Sequence, residues 1–203
     1  SDEKASLDEV IQILKKKRHQ AYADVEVTLG RSRYQDFKTA YETWLAQPQF
    51  TPLAELSIYV LLPELLSPLL SELLLHPGWL IAADNSSTAA NHTLHDLRKA
   101  FKHVRYQTEF FTPFYGESFQ TWVAEIKLLQ EQLGKLQDSH VLQELLTTHL
   151  PKHTQIPTLQ AKIQQTRLEV LSDWDATRQH YLNPEFRRQL HQMLLDPSIV
   201  DEN

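Results

Sequence analysis

The apolar residues of this chain recur three or four positions apart along most of its length, and no segment shows the convincing alternation of a β-strand. Leu7, Val10, Ile11 and Leu14 show this spacing at the start of the sequence. The chain contains four glycines against ten prolines, so proline is the main residue that interrupts the pattern. These features predict an all-α protein, an antiparallel helical bundle with proline-punctuated loops.

The helical pattern divides into segments at polar, glycine and proline residues. A capping box of Ser6 and Glu9 predicts the first helix from about residue 6, and Gly30 is the expected stop. A polar loop is predicted over 82–92, before the most basic segment of the chain. The predicted helices are 6–28, a second that ends before Pro48, one or two in 52–76, the segment from 94, 119–148, 158–182 and 184–195.

Composition excludes several classes of protein. The absence of cysteine rules out thiolate catalysis, cysteine-bound zinc and iron–sulfur clusters. The most apolar run, 57–75, is interrupted by Glu64, Glu72, Pro63 and Pro68, which favours a buried helix over a membrane span. The charged N-terminus does not resemble a signal peptide. We therefore expect a soluble, cytoplasmic protein that does not bind membranes.

The segment 94–111, LHDLRKAFKHVRYQTEFF, concentrates positive charge in a chain whose formal net charge is −6. At about 100° per residue, one stripe of a helix carries His95, Arg98, Lys99, Lys102, Arg105 and Tyr106. The adjacent stripe is apolar and carries Leu94, Leu97, Phe101 and Val104. Four residues of the first stripe, which we call the basic row, form a line about 15 Å long: His95, Arg98, Lys102 and Arg105.

Three uses of the basic row are open on this pattern alone. It could be a solvated face, it could form ion pairs with neighbouring helices, or it could bind a polyanion. A solvated face usually alternates charges of opposite sign, and here only Asp96 and Glu109 offer that pairing. Arginine forks, a mobile lysine charge and neutral tyrosine and histidine donors together suit a linear phosphate chain. No Gly-rich phosphate loop is present.

The segment resembles the signature of the CHAD family, the conserved histidine α-helical domain. The matching positions are His95, Arg98, Lys102, Arg105, Tyr106 and Glu109. A second element of that family, which follows the first, resembles Leu129, Gln130, Leu133, Gly134 and Asp138. The resemblance implies tandem four-helix repeats whose basic residues line a groove that binds inorganic polyphosphate. It also implies a binding module that is not an enzyme and needs no cofactor or metal.

The chain departs from the family pattern because it carries the histidine–arginine motif once rather than twice. We interpret 1–203 as a single CHAD-like domain in which 1–50 are the closing helices of a first half and 51–203 form the second half. A missing N-terminal segment, or self-association with another copy, would then complete the bundle.

Two further arginines are candidate polyphosphate ligands. Arg18 is predicted on the inward border of the first helix, beside Ile11 and Ala21. Arg33 opens the next helix. The resemblance also suggests that the protein associates with polyphosphate granules in the cell.

Other functions stay open beside polyphosphate binding. His95 could accept a phosphoryl group on a helical bundle, with Asp138 orienting its ring. His92, His95 and Asp96 could hold a metal, although no Glu-x-x-His pair occurs. The row could also serve a structural or interaction module through ion pairs between helices.

Nucleic acid is disfavoured as a ligand by the expected positions of the aromatic residues. Single-strand binders combine positive charge with exposed aromatic side chains on which bases stack. In this helix Phe101, Phe110 and Phe111 are predicted on or beside the core side.

Overall fold

The computed structural model describes residues 2–150 and 156–197. Within those ranges it contains helices and no strand, so the predicted all-α class is confirmed. The α-helices are α1 (Asp2–Gly30), α2 (Ser32–Ala46), α3 (Ile58–Leu74), α4 (Thr88–Phe111), α5 (Glu117–His149), α6 (Pro157–Val170), α7 (Trp174–Leu182) and α8 (Pro184–Leu195). Short 3₁₀ helices cover Pro52–Glu55, Pro77–Leu80 and Thr112–Phe114.

The chain divides into two compact units. Unit 1 comprises Ser1–Glu55 and Leu145–Pro157, and unit 2 comprises Leu56–Glu144 and Thr158–Asn203. The interpretation of 1–203 as one domain with halves at residue 50 stays a prediction.

The core of unit 2 begins with one face of α3. Leu62, Leu66, Leu70 and Leu73 follow one another at helical spacing and are almost completely buried. The C-terminal carbonyl groups of this helix include that of Leu74, which accepts a hydrogen bond of 2.6 Å from Nη2 of Arg187 on α8. A charged side chain thus satisfies a backbone group that the helix itself leaves without a partner.

Aromatic side chains occupy the centre of unit 2. The Trp79 ring stacks on Tyr181 and Trp174, with centroids 4.3 and 5.7 Å apart, and meets the edge of Phe101 at 5.5 Å. The turn before Trp79 approaches α4 so closely that a Cβ on Gly78 would lie 2.8 Å from side-chain atoms of Leu97. Glycine is therefore required at this point for the 3₁₀ helix to pack against α4.

Three helix boundaries differ from the predictions. The first helix already includes Asp2, so residue 6 does not begin it. The loop predicted over 82–92 is shorter, because Ser87 Oγ accepts a hydrogen bond from Ala90 N and α4 begins at Thr88. The helix predicted over 158–182 is interrupted between α6 and α7. There Trp174 enters the core and its indole N–H donates to the Ile81 carbonyl at 2.8 Å.

Unit 1 contains the α1–α2 hairpin, whose aromatic residues are exposed. On α2, Phe37 stacks on Tyr41 and Tyr41 on Trp44, yet none of the α2 side chains is buried. Further exposed apolar residues of this unit are Ile11, Tyr22, Val25, Val27, Leu29, Tyr34, Leu45, Phe50 and Leu53. The helical spacing that predicted these helices is present, but the apolar faces that it creates remain largely exposed to solvent.

The stretch Ile58–Leu80 has the length and apolar composition of a membrane span, with 23 residues and a mean hydropathy of 1.7. A core helix meets the same criterion, so length and composition give only a weak indication of a span. The buried face of α3 agrees with the predicted core helix, whereas Val60 and Leu65 lie exposed on the same helix.

Candidate polyanion-binding site

The two stripes of α4 occupy different environments. The apolar stripe is buried in the core of unit 2, as its spacing predicted. In the basic row, His95, Arg98 and Arg105 are half-buried and Lys102 is exposed. The core therefore holds the helix in one rotational orientation, and this orientation brings the basic row to the surface of the unit.

Helix α5 runs antiparallel to α4 alongside the row. A Cβ on Gly134 would lie 3.3 Å from Nε of Arg98, so the bare glycine makes room for the guanidinium. Six residues further along each helix, in opposite directions, the rings of His140 and His92 lie 6.3 Å apart. Both contacts fit the same antiparallel alignment of the two helices. In this alignment Gly134 lies opposite Arg98, and His140 lies opposite His92.

Several polar atoms along this boundary are buried without a hydrogen-bond partner among the described residues. They include Nδ1 of His95, Nε of Arg98 and Oε1 of Gln130. Buried polar atoms in native proteins are generally hydrogen-bonded, so such atoms call for a water or a ligand. A ligand that accepts hydrogen bonds would satisfy the histidine and arginine nitrogens when they carry protons.

The cations of the stripe differ in their ion pairs. Lys99 Nζ lies 2.6 Å from Asp96 Oδ1, and Arg105 Nε lies 3.6 Å from Glu109 Oε1. Arg98 and Lys102 form no ion pair among the described residues. The two central cations are thus the ones whose charge is available to an external anion.

Tyr106 lies beside the C-terminal part of the row. The guanidinium carbon of Arg105 is 4.4 Å from the Tyr106 ring centroid, and Lys102 Nζ is 5.9 Å from it. Both distances are within the range of cation–π attraction. The tyrosine therefore favours positions of both cations near its ring.

The electrostatic environment of His95 favours its neutral form. Burial lowers the pKa of the His95 imidazole, nearby Lys99 and Arg98 lower it further, and Asp96 opposes them. The hydrogen bond from Lys99 in turn lowers the pKa of Asp96. At pH 7 the ring of His95 is therefore neutral, and it offers one N–H donor rather than a positive charge.

The two arginines predicted outside the motif lie in unit 1. Arg18 is exposed on α1, and so are Ile11 and Ala21, so the predicted inward border is wrong. The reason is that this side of α1 is itself largely uncovered. Arg33 is exposed in the first turn of α2. A role of either residue in polyphosphate binding stays a prediction.

One aromatic residue of α4 was also placed wrongly. Phe110 is 76% exposed, whereas Phe101 is fully buried and Phe111 is half-buried. On the helix Phe110 lies about 60° from His95, on the side away from the apolar stripe. Phe110 is therefore accessible to a nucleic-acid base, contrary to its predicted position.

A concavity of unit 2 lies away from the row. It has a volume of about 840 Å³ between the N-terminal part of α5 and α8, where Glu117, Glu125 and Asp196 line it beside aromatic rings. Carboxylates repel a polyanion, so this groove does not suit one. Burial raises the pKa of Tyr115 in its wall to about 12, and the hydroxyl donates to the Leu194 carbonyl.

A smaller polar pocket of about 140 Å³ lies at the N-terminal end of α4. It is lined by Ser86, Asn91, Ser139, His140 and Arg167, among others. No sequence pattern indicated this pocket, because Arg167 and His140 stand singly on α6 and α5 and form no cluster in the sequence. Within residues 2–150 and 156–197, no group of three or more His, Asp or Glu side chains is arranged to bind a metal ion.

Comparison with known proteins identifies a family. The family model of the CHAD domain matches residues 1–147, which include the basic row and Gly134. No curated protein and no solved structure matches the chain.

Proposed function

The chain belongs to the CHAD family, and we propose that it binds inorganic polyphosphate along the basic row of α4 without catalysing a reaction. The proposal rests on one observation: Arg98 and Lys102 form no ion pair among the described residues. Arg98 also keeps a buried Nε without a hydrogen-bond partner. Phosphate oxygens supply both the missing charge and the missing acceptor.

The rest of the molecule favours selective binding at this row. The net charge of −6 gives the chain no general attraction for polyanions, so affinity depends on the local cations. In this proposal Lys99 and Tyr106 contact the ligand at the edges of the row, while a role of Arg18 and Arg33 stays a prediction. Cytoplasmic location and association with polyphosphate granules are part of the same proposal.

The test is binding of long-chain polyphosphate by titration calorimetry at several salt concentrations. By analogy with nucleic acids, each neutralised phosphate releases counterions, so affinity should fall steeply between about 50 and 200 mM salt. The double variant Arg98→Ala with Lys102→Ala should lose most of the affinity and show a smaller salt slope.

The matched control is Arg178→Ala with Arg188→Ala. It removes the same charge from two arginines that are paired with Asp175 and Glu185 on α7 and α8. We expect near wild-type binding from this control. Absence of binding at low salt, or equal losses in the two double variants, would contradict the proposal.

Single-stranded nucleic acid is the second candidate ligand, favoured by the exposure of Phe110 and Tyr106 beside the row. Competition between polyphosphate and a single-stranded oligonucleotide separates the two. If polyphosphate is the ligand, the oligonucleotide competes poorly and Phe110→Ala leaves polyphosphate affinity unchanged. If bases stack on the protein, that substitution weakens oligonucleotide binding by about tenfold.

Phosphoryl transfer through His95 stays the enzymatic alternative. It predicts an acid-labile phosphate on the protein after incubation with a phosphodonor, and His95→Asn should abolish that label. Binding of polyphosphate alone predicts no label.

A further inference from the structure

The polar pocket at the N-terminal end of α4 continues the surface that carries the basic row. Asn91, in its wall, precedes His95 by four residues and lies at about −40° on the helix, between His95 and Arg98. On α5, the register that sets Gly134 against Arg98 sets His140 against His92. A polyphosphate chain that follows the row from Arg105 to His95, toward the N-terminus of α4, therefore reaches this pocket beyond His95.

Arg167 of α6 is a half-buried cation whose charge is not balanced by a carboxylate. Its Nη1 donates to Asn91 Oδ1 at 2.9 Å and its Nη2 donates to the Asn85 carbonyl at 2.8 Å, and both acceptors are neutral. No carboxylate in the described ranges forms an ion pair with it. Burial lowers the pKa of the guanidinium, which nevertheless stays protonated.

A partly desolvated charge of this kind is costly unless an anion compensates it. The two hydrogen bonds use one proton of each terminal nitrogen, so Nε and the other protons of the fork can donate to a ligand. His140 adds a ring nitrogen, Nε2, that is buried and has Glu144 Oε1, at 3.4 Å, as its neighbour. Ser86 and Ser139 also line the cavity, and the Ser139 hydroxyl donates its proton to the Lys135 carbonyl.

The size of the pocket selects the ligand. A volume of about 140 Å³ equals the share of four or five water molecules in the liquid. This holds one tetrahedral phosphoryl group, whereas sites for larger organic ligands begin at about 300 Å³. An anion bound here is therefore the size of one phosphate unit rather than that of a nucleotide.

We propose that this pocket is a phosphate subsite that extends the polyphosphate site beyond His95, with Arg167 as its main cation and His140 as a second donor. The proposal rests on the proposed function, because the same polyanion occupies the row and the pocket. It adds α6 to the ligand-binding surface and lengthens the line of contacts from Arg105 to Asn91 to about 21 Å.

The first experiment compares Arg167→Gln with Arg178→Gln. Glutamine keeps hydrogen-bond donors for Asn85 and Asn91 but removes the charge, so folding is preserved as far as a substitution allows. We expect Arg167→Gln to weaken binding of long-chain polyphosphate about tenfold and to reduce the salt slope by about 0.7. The control Arg178→Gln, which removes an arginine paired with Asp175, should bind like the wild type.

A second variant tests the pocket in the opposite direction. Glu144→Gln removes the carboxylate next to His140, so it should raise polyphosphate affinity more than Glu117→Gln, which removes the same charge from the groove between α5 and α8. A pocket with a purely structural role predicts equal gains from the two variants. This measurement decides the matter even if Arg167→Gln fails to fold.

The third measurement is local and uses tripolyphosphate as the probe. Ring signals of His95 and His140 in the NMR spectrum should both shift during the titration, and those of His140 should stop responding in Arg167→Gln. A response of His95 alone, with equal affinities for the two arginine variants, would overturn the subsite and leave the proposed function intact. No response of either ring, and no polyphosphate binding, would overturn both.

Discussion

The two units of this protein are built from helices with the same kind of apolar pattern, but they bury it to different extents. Trp79 in unit 2 is 1% exposed and is packed among other aromatic rings, whereas Trp44 in unit 1 is 43% exposed on α2. Trp44 lies in a segment whose apolar spacing predicts helix, and so does Phe101, against which Trp79 packs. Trp79 itself lies in the 3₁₀ helix Pro77–Leu80, outside the predicted helices. Helical periodicity thus identifies the face that can be buried, but burial requires a neighbouring element to cover that face.

The largest expected effect is the difference in stability loss between substitutions of these two tryptophans. Trp79→Ala should lower the free energy of unfolding by about 3–5 kcal/mol, because it removes a fully buried ring. Trp44→Ala should cost less than about 1 kcal/mol, because its ring is half in solvent already. Denaturant unfolding followed by far-UV circular dichroism measures both. Equal losses would break the comparison and would mean that the face of α2 is covered in solution.

A similar contrast is expected for charged side chains. Arg187 donates hydrogen bonds of 2.6 Å to the carbonyls of Tyr181 and Leu74, so Arg187→Ala should cost about 2–3 kcal/mol. Lys38 in unit 1 lies 3.9 Å from Glu42 on an exposed surface, and Lys38→Ala should change stability by less than about 0.5 kcal/mol. The same unfolding experiment applies, and a large loss for Lys38→Ala would contradict the description of α2 as solvent-exposed.

Substitutions at two helical glycines, Gly134 and Gly30, test whether an effect on binding can be separated from an effect on stability. Gly134→Ala should raise the helix propensity of α5, for a gain of up to about 1 kcal/mol, while its Cβ crowds Arg98. We expect unchanged or higher stability together with polyphosphate affinity lowered about threefold, because the guanidinium loses its orientation. Gly30→Ala in α1 meets no atom within 4 Å and should leave binding unchanged. Equal affinities of the two variants would show that the position of Arg98 is not decisive.

A small effect is expected on the pH dependence of binding. The pKa of His95 is lowered by burial and by nearby cations, so the unfolded chain takes up its proton first as the pH falls. This contribution to stability is present above the ordinary histidine pKa of about 6.5 and is lost below it. Bound polyphosphate should reverse the preference, because a polyanion favours the charged imidazole.

Affinity should therefore rise by less than about tenfold as the pH falls from about 7.5 to 5.5. His95→Asn should remove part of that rise, and His19→Asn on exposed α1 should leave it unchanged. Titration calorimetry at the two pH values is the measurement. A pH dependence that His95→Asn does not alter would assign the effect to other histidines.

Much of the fold could be predicted because helix formation depends on local spacing and on capping residues. The buried stripe of α4 and the all-α class follow from that spacing alone. The break before Trp174 could not be predicted, because it depends on a core position and on a hydrogen bond to Ile81, which is 93 residues away. The exposure of Arg18 was missed for a related reason, since an apolar border is buried only when another element packs on it.

The sequence by itself determined that α4 carries a line of cations beside an apolar stripe, since both stripes follow from the turn of one helix. Only the tertiary structure decided that Gly134 faces Arg98, and that Arg167 and His140 meet at the end of the row. Contacts between helices depend on the packing of α4, α5 and α6, whose residues lie far apart in the chain. Local spacing carries no information about contacts of that kind.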